Sequence, residues 1–346
     1  MTAISSGSVG LVVTSPPYPM IEMWDSVFKQ QNNDISAALS QENGHLAFEL
    51  MHRQLDEVWQ EVWRILKIGG IVCINVGDAV RKIGGNFSLY PNHARVIDGI
   101  LKIGFAPLPL IIWRKQTNAP NKFMGSGMLP AGAYVTLEHE YILILRKGPK
   151  REFKTAAEKQ VRNESAIFWE ERNLWYSDVW LDLKGTSQKM KNSPGRSRSA
   201  AFPFEVPYRL INMFSVKGDT VVDPFLGTGT TIWAAMAAGR NSIGFENDQA
   251  FGDQIVSKMK ILVNLSNDRI SARLRDHLAF VRRRFESKGR FKYMNIFYRF
   301  PVMTRQETSL LFNPLEAIDK TGDNEYEITY AIKPHQTGKD WAERFL

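Results

Sequence analysis

Two short stretches carry residue types that could do chemistry. The first is Thr14-Ser15-Pro16-Pro17-Tyr18, which follows the apolar run Val9 to Val13. That run reads as a buried strand, and the prolines end it in an abrupt turn. Each proline fixes its φ and lacks an N–H donor, so the carbonyls of the turn are held in place without ladder partners. A hydroxyl precedes them and an aromatic ring follows. Rigid acceptors beside a flat ring suit a planar base with an exocyclic amino group, because the acceptors take its N–H atoms and the ring stacks on it. Taken alone, the stretch reads equally well as a proline turn after a strand.

The second stretch is Asp223-Pro224-Phe225-Leu226-Gly227-Thr228-Gly229-Thr230-Thr231. It follows the strand-like Asp219 to Val222 and leads into a small-residue helix, Ile232 to Ala238, stopped by Gly239. The next strand, Asn241 to Phe245, ends in Glu246. Strand, glycine turn, helix, strand and carboxylate together form a nucleoside-binding unit, in which the carboxylate can hold two ribose hydroxyls. A triphosphate loop needs lysine after Gly229, where this chain has Thr230-Thr231. A dinucleotide turn needs a small residue three places after Gly229, where this chain has Ile232. An adenosyl ligand without phosphates remains, with Phe225 near it and Glu246 on the ribose. Both stretches fall at the C-terminal ends of predicted parallel strands, where open α/β sheets bind ligands.

Other elements must position them. A helical stripe over His45 to Leu66 (Leu50, Leu55, Val58, Val62, Ile65, Leu66) ends at Lys67-Ile68-Gly69-Gly70, and a strand from Ile71 to Val76 closes in Gly77-Asp78. A helix is expected from Asn92 to Lys102, then strands Leu108 to Arg114 and Glu140 to Arg146, with a long loop, Lys115 to Thr136, between them. Lys147 to Arg198 reads as irregular, with Trp169, Trp175 and Trp180 assigned mainly to the core. Lys184, Lys189, Lys191, Arg196 and Arg198 make its later part a candidate phosphate-contacting surface. Helices follow at Phe204 to Phe214 and Asp248 to Leu265, a second basic region spans Arg269 to Arg305, and the tail holds strand-like runs at Tyr293 to Phe300 and Glu325 to Ile332.

The chain has 346 residues, 44% hydrophobic and 23% charged, so it can bury one large domain with additions, or two. Its +8 net charge favours a polyanionic partner. The single cysteine, Cys73, lies in an apolar run and excludes a disulfide framework or a cysteine-rich metal site. No signal pattern or membrane-length apolar run is present, which predicts a soluble protein of a reducing compartment. His45, His52 and His93 read as surface or helix residues, and Glu138-His139-Glu140 as a polar cluster at a strand end without metal spacing.

Together, Thr14 to Tyr18 and Asp223 to Gly229 resemble the beta-class DNA amino-methyltransferases, the S-adenosylmethionine enzymes of bacterial restriction–modification systems. Asn75-Val76-Gly77-Asp78 is similar to that family's strand end, and Phe202-Pro203 to its segment over the methionine end of the cofactor. Ser15, where adenine-directed members typically carry aspartate, resembles the cytosine-N4 subgroup. The resemblance covers roughly residues 9 to 285. It implies an α/β, Rossmann-like methyltransferase sheet with helices on both faces, a circularly permuted motif order and a small irregular target-recognition region. The organisation expected is a catalytic half at 1–146, a recognition region at 147–198 with the 115–136 loop, a cofactor half at 199–285 and an extension at 286–346. A cofactor-side strand that often precedes the Pro-Pro motif is lacking, and Ile270 to Val281 is expected to supply it.

The implied reaction is methyl transfer to N4 of a flipped cytosine in double-stranded DNA, in a bacterial or archaeal cytoplasm and nucleoid, paired with a restriction endonuclease and without membrane or metal. Ser15, Pro16, Pro17 and Tyr18 would be catalytic. Thr14, Phe202, Pro203, Asp223, Pro224, Phe225, Gly227, Thr228, Gly229, Thr230, Glu246 and Asn247 would meet the cofactor. Adenine-N6 methylation and a catalytically silent DNA-binding protein stay open as alternatives. The tail is open to dimerisation or DNA contact.

Overall fold

The computed structural model describes residues 1–115, 124–185, 202–332 and 334. In chain order the elements begin with strand β1 (Val9–Thr14), helices α1 (Asp25–Gln31), α2 (Asn33–Ser40) and α3 (Gly44–Ile65), and strand β2 (Leu66–Val76). A hairpin of β3 (Ala79–Ile83) and β4 (Asn86–Tyr90), helix α4 (Asn92–Ile103) and strand β5 (Ala106–Arg114) come next. A two-residue-strand hairpin, β6 (Met124–Gly125) and β7 (Ala133–Tyr134), precedes β8 (His139–Arg146). Then come α5 (Ala156–Glu164), α6 (Trp169–Trp175), β9 (Val179–Trp180), α7 (Glu205–Phe214), β10 (Thr220–Asp223), α8 (Thr230–Ala237), β11 (Asn241–Gly244) and α9 (Ala250–Lys288). Short strands β12 (Tyr293–Met294) and β13 (Pro301–Val302) and a longer pair, β14 (Leu315–Gly322) and β15 (Glu325–Tyr330), are the last elements among the described residues.

These elements group into two compact units. The first comprises Met1–Ser8, Val12–Lys150 and Asp178–Pro203. Its strand order is β1-β2-β8-β5-β9. β8 runs antiparallel to both β2 and β5, and β5 runs parallel to β9, so the sheet is mixed rather than wholly parallel. α3 buries Ala47, Phe48, Met51, Leu55, Trp59, Val62 and Ile65, a helical stripe in which each large side chain contributes about 1.5–3 kcal/mol by leaving water. Asn43 caps it by accepting from the Leu46 N–H at 3.1 Å. β2 starts at Leu66, and Gly69, with a φ of +79°, interrupts its extended backbone before Ile71, where the register with β8 begins. Asn33–Ser40 is a helix because Asn32 caps it and Ile35 and Ala38 are buried.

The second unit comprises Val9–Leu11, Arg151–Ser177 and Phe204–Leu346, with strand order β11-β10-β1. β10 and β11 pair in parallel, Thr220 with Asn241 through Asp223 with Gly244. Part of the stretch expected to be irregular is helical here. Thr155 and Glu158 form a reciprocal capping box on α5, and the Phe168 N–H of α6 donates to Glu171 at 3.0 Å. Trp175 and Trp180 are buried as expected, whereas Trp169 is exposed. The strand expected from Ile270 to Val281 is instead part of α9. Ile270, Leu274, Leu278 and Val281 recur with helical spacing, and the first three pack on Phe168, Phe300 and Leu310.

The second basic region is partly internal. Arg273 is buried and donates to both Glu171 oxygens at 2.5 and 2.6 Å, and Arg269 pairs with Glu205 at 2.6 Å. The tail hairpin β14–β15 covers α8 and α9, placing Leu315, Ile318, Tyr326 and Ile328 against Trp233, Met236, Met259 and Leu262. Among the described residues no helix is long and apolar enough to cross a membrane.

Candidate active site

In the first unit, β1 ends at the buried Thr14 and delivers Ser15 into a cluster built from three distant segments. Ser15 Oγ lies 3.0 Å from the Tyr18 hydroxyl, which donates to Glu140 Oε2 at 3.2 Å. Asn75, on β2, directs one amide group at all three: Nδ2 is 2.7 Å from Glu140 Oε2, 2.9 Å from the Tyr18 oxygen and 3.5 Å from Ser15 Oγ. Lys115, just past β5, donates to the other Glu140 oxygen at 2.9 Å. Burial first, and the Glu140 carboxylate second, push the Tyr18 phenol well above its ordinary pKa, so it stays a hydrogen-bond donor.

This polarity has a chemical consequence. Tyr18 spends its only proton on Glu140, so the Ser15 hydroxyl turns its own proton toward the Tyr18 oxygen. One lone pair of Ser15 Oγ faces Asn75 Nδ2 at 3.5 Å, and the other is left for an incoming N–H. The chain of bonds, aimed at a carboxylate, makes a neutral serine an acceptor.

A second layer holds the turn. Asn92, fully buried at the start of α4, donates to the carbonyls of Pro19 at 3.1 Å and Gly77 at 3.0 Å. Its side-chain oxygen faces His52 Nε2 at 3.0 Å, so that nitrogen carries the proton. Burial keeps His52 neutral, with its pKa lowered to about 3. His52 is thus a core residue of α3 rather than a surface one. A Cβ on Gly77 would sit 3.2 Å from Tyr18 Cε2, so a larger residue there would press the ring back by a few tenths of an ångström. Met20 holds a φ of +67°, backbone strain placed directly after the Pro-Pro turn.

In the second unit, the Asp223–Thr231 turn is held by two carboxylates. Asp223, buried, accepts from the Phe225 N–H at 3.0 Å and the Thr231 hydroxyl at 2.6 Å. Glu246 Oε2 accepts from the Gly227 N–H at 2.8 Å and its Oε1 from the Asp248 N–H at 2.8 Å. Gly227 and Gly229 take φ values of +55° and +86°, a region that side-chain-bearing residues avoid. A Cβ on Gly227 would meet nothing within 4 Å, so the turn's backbone is open to a ligand there. Each Glu246 oxygen keeps a lone pair for a hydroxyl donor. Thr228 and Thr230 are buried and 3.3 Å apart through their hydroxyls, and Asn247 follows in the loop toward α9.

The remaining expected residues are spread more widely. Pro16 is buried and Pro17 partly so, both within the turn. Phe202 is buried and Pro203 half-buried at the end of the first unit's third segment. Pro224 and Phe225 are half-buried. Lys184 is exposed between Leu183, whose carbonyl accepts from Trp113 Nε1 at 2.9 Å, and Gly185, which lies against Lys115. Lys189, Lys191, Arg196 and Arg198 lie outside the described residues. Sequence reasoning missed Glu140, Lys115, Asn92 and the hub role of Asn75. Asn75 carried a signal, being a polar residue inside the apolar run Ile71 to Val76.

A mixed α/β sheet flanked by helices, with a Pro-Pro turn in one unit and a glycine turn in the other, defines a class. A family profile described as DNA methylase matches residues 9–257, and the chain belongs to this N6/N4 DNA methylase family. It is 53% identical over 331 residues to the type II methyltransferase M.MthZI of Methanothermobacter thermautotrophicus, covering 95% of this chain and 92% of that one. To the type II methyltransferase M.MjaI of Methanocaldococcus jannaschii it is 50% identical over 274 residues, covering 75% and 88%. Among solved structures, a putative DNA modification methylase of Thermus thermophilus, complexed with S-adenosyl-L-methionine, matches with a TM-score of 0.57 and 32% identity over 73% of this chain and 86% of that chain.

Proposed function

We propose that the chain is a site-specific DNA methyltransferase that moves a methyl group from S-adenosylmethionine to the exocyclic N4 of a cytosine turned out of the duplex, protecting the DNA from a paired restriction endonuclease. The observation that carries this reading is the directed chain Ser15–Tyr18–Glu140, which leaves the Ser15 oxygen as an acceptor. The N4 assignment rests on Ser15 standing where adenine-directed members carry aspartate. The type II methyltransferase relatives support the protective role.

The glycine turn fits the cofactor. Open space at Gly227 admits an adenosyl group against backbone, and Glu246 has lone pairs left for its ribose hydroxyls. When bound, the cofactor supplies an electrophilic sulfonium methyl group. The chain's own residues do the rest. Ser15 Oγ and the Pro16 carbonyl accept the two amino hydrogens and so orient the nitrogen lone pair, while Asn75 and Glu140 fix Tyr18 and Ser15. Positioning and preorganised dipoles supply most of the acceleration. Ser15 is a weak base at neutral pH, so the proton leaves after the methyl group has moved.

The test is incubation of the purified protein with labelled S-adenosylmethionine and unmethylated bacterial DNA. Label should enter the DNA with the native protein and not with Ser15→Ala. No incorporation, with cofactor binding intact, would favour a silent DNA-binding protein.

A further inference from the structure

The first unit carries an apolar projection that the cluster around Ser15 does not use. At the tip of the β6–β7 hairpin Met128 is 84% exposed and Leu129 70%, and just beyond it Val135 is 87% exposed. Such side chains are costly to leave in water, and side by side they mark a contact surface. The tip is nevertheless braced. The Ser126 N–H donates to the Gly132 carbonyl at 2.9 Å and the Ser126 hydroxyl to the Leu129 carbonyl at 2.5 Å. Tyr134 stacks on Phe87 of β4, with ring centres 5.0 Å apart and planes within 7°.

Two further observations say what the tip meets. The first is where the excursion starts and returns. It leaves β5 at Arg114-Lys115 and rejoins β8 at Glu138–Glu140, and Lys115 and Glu140 are joined by an ion pair of 2.9 Å. Glu140 is the carboxylate that holds Tyr18, so the foot of the projection is the amino-group site itself. The second is charge. No aspartate or glutamate occurs from Lys115 to Leu137, and the carboxylates at the foot, Glu138 and Glu140, are paired with Arg114 and Lys115. The segment from Lys115 to Leu137 therefore brings no negative charge of its own against a polyanion.

We infer that Met128 and Leu129 form a wedge that enters the substrate duplex beside the target base and occupies the space the base leaves. Apolar side chains inserted between base steps offset the unstacking that extrusion requires. This inference rests on the methyltransferase reading above.

The test pairs Met128→Ser/Leu129→Ser with the native protein on two duplexes. Both carry the target site, mapped first by label transfer to bacterial DNA. One is fully paired, and the other has an abasic site opposite the target base. Both side chains are exposed, so the substitutions remove no core contact. The double variant should be at least ~10-fold slower on the paired duplex and within about twofold of native on the abasic one, where extrusion costs less. Its cofactor affinity should not change. Native speed on the paired duplex would overturn the wedge, as would equal slowing on both duplexes. Loss of a dimer with no change in rate would also overturn it and make the tip a protein contact. Failure of the native protein to methylate any DNA would instead sink the underlying reading.

Discussion

Replacing Glu140 with glutamine tests the directed hydrogen-bond chain with little change of shape. Both carboxylate oxygens face donors: Oε1 faces Lys115 at 2.9 Å, and Oε2 faces Asn75 at 2.7 Å and Tyr18 at 3.2 Å. A glutamine NH2 must therefore turn toward one set of donors and lose its bonds. Lys115 is partly exposed, so its ion pair contributes little; the glutamine NH2 turns that way, its carbonyl stays with Asn75 and Tyr18, and the cost is the negative charge lost from their acceptor. A hydrogen bond to a charged acceptor contributes about 1–1.5 kcal/mol more than one to a neutral acceptor, which corresponds to roughly 5- to 13-fold in rate if the chain of bonds acts on the reacting nitrogen. Without the carboxylate, the Tyr18 proton is free to swing toward Ser15 and spoil its acceptor role. The assay is single-turnover methyl transfer with labelled cofactor, beside cofactor binding by calorimetry and thermal unfolding. Glu140→Gln should slow transfer by that factor while cofactor affinity stays within about twofold, since the glycine turn belongs to the other unit. A folded variant that transfers at the native rate would refute the argument. So would one whose cofactor affinity fell as far as its rate.

Three other outcomes follow from the same geometry. Ser15→Ala removes the acceptor and should cost several powers of ten in transfer rate, with cofactor binding nearly intact; loss of both together would make Ser15 structural. Thr231→Val removes the 2.6 Å donor from the buried Asp223 carboxylate and should lower unfolding stability by about 1–3 kcal/mol and weaken cofactor binding. Unchanged stability in denaturant melts would remove Thr231 from the turn's support. His52 is neutral when folded, with a pKa of about 3 against an ordinary 6.5, so on acidification the unfolded chain takes up the proton first. Its contribution is fully present above pH ~6.5 and falls by about 1.4 kcal/mol per pH unit down to pH ~3. His52→Gln should flatten that part of the stability–pH curve, and an unaltered slope would show that His52 is not responsible.

How far the sequence could be read depended on whether a feature was local. β1, α3 and the β10–turn–α8–β11 unit are announced by apolar runs, helical spacing and punctuating glycines within a few residues, and they form close to where those signals fall. The direction of β8 is not local. The apolar run of β8, Tyr141 to Leu145, looks the same whether it pairs parallel or antiparallel, so a mixed sheet could not be told from a parallel one. α9 runs for 39 residues because its buried stripe continues past Leu265, and reading its later half as a strand ignored the helical recurrence of Ile270, Leu274 and Leu278. The Pro-Pro turn and glycine turn are legible because their chemistry is contiguous. Glu140 is not, because it meets Asn75 across 65 residues and Tyr18 across 122, and neither neighbour on the chain hints at the other. The charge of the region after Arg269 misled in a simpler way, since composition cannot distinguish an arginine facing phosphate from one, like Arg273, buried against glutamate.

The most direct measurement is the chemical identity of the product. Unmethylated bacterial DNA, treated with the protein and labelled S-adenosylmethionine, would be digested to nucleosides and analysed by mass. N4-methylcytosine carrying the label is the predicted result. N6-methyladenine would keep the methyl transfer but contradict the role given to Ser15, and DNA without label would contradict the account as a whole.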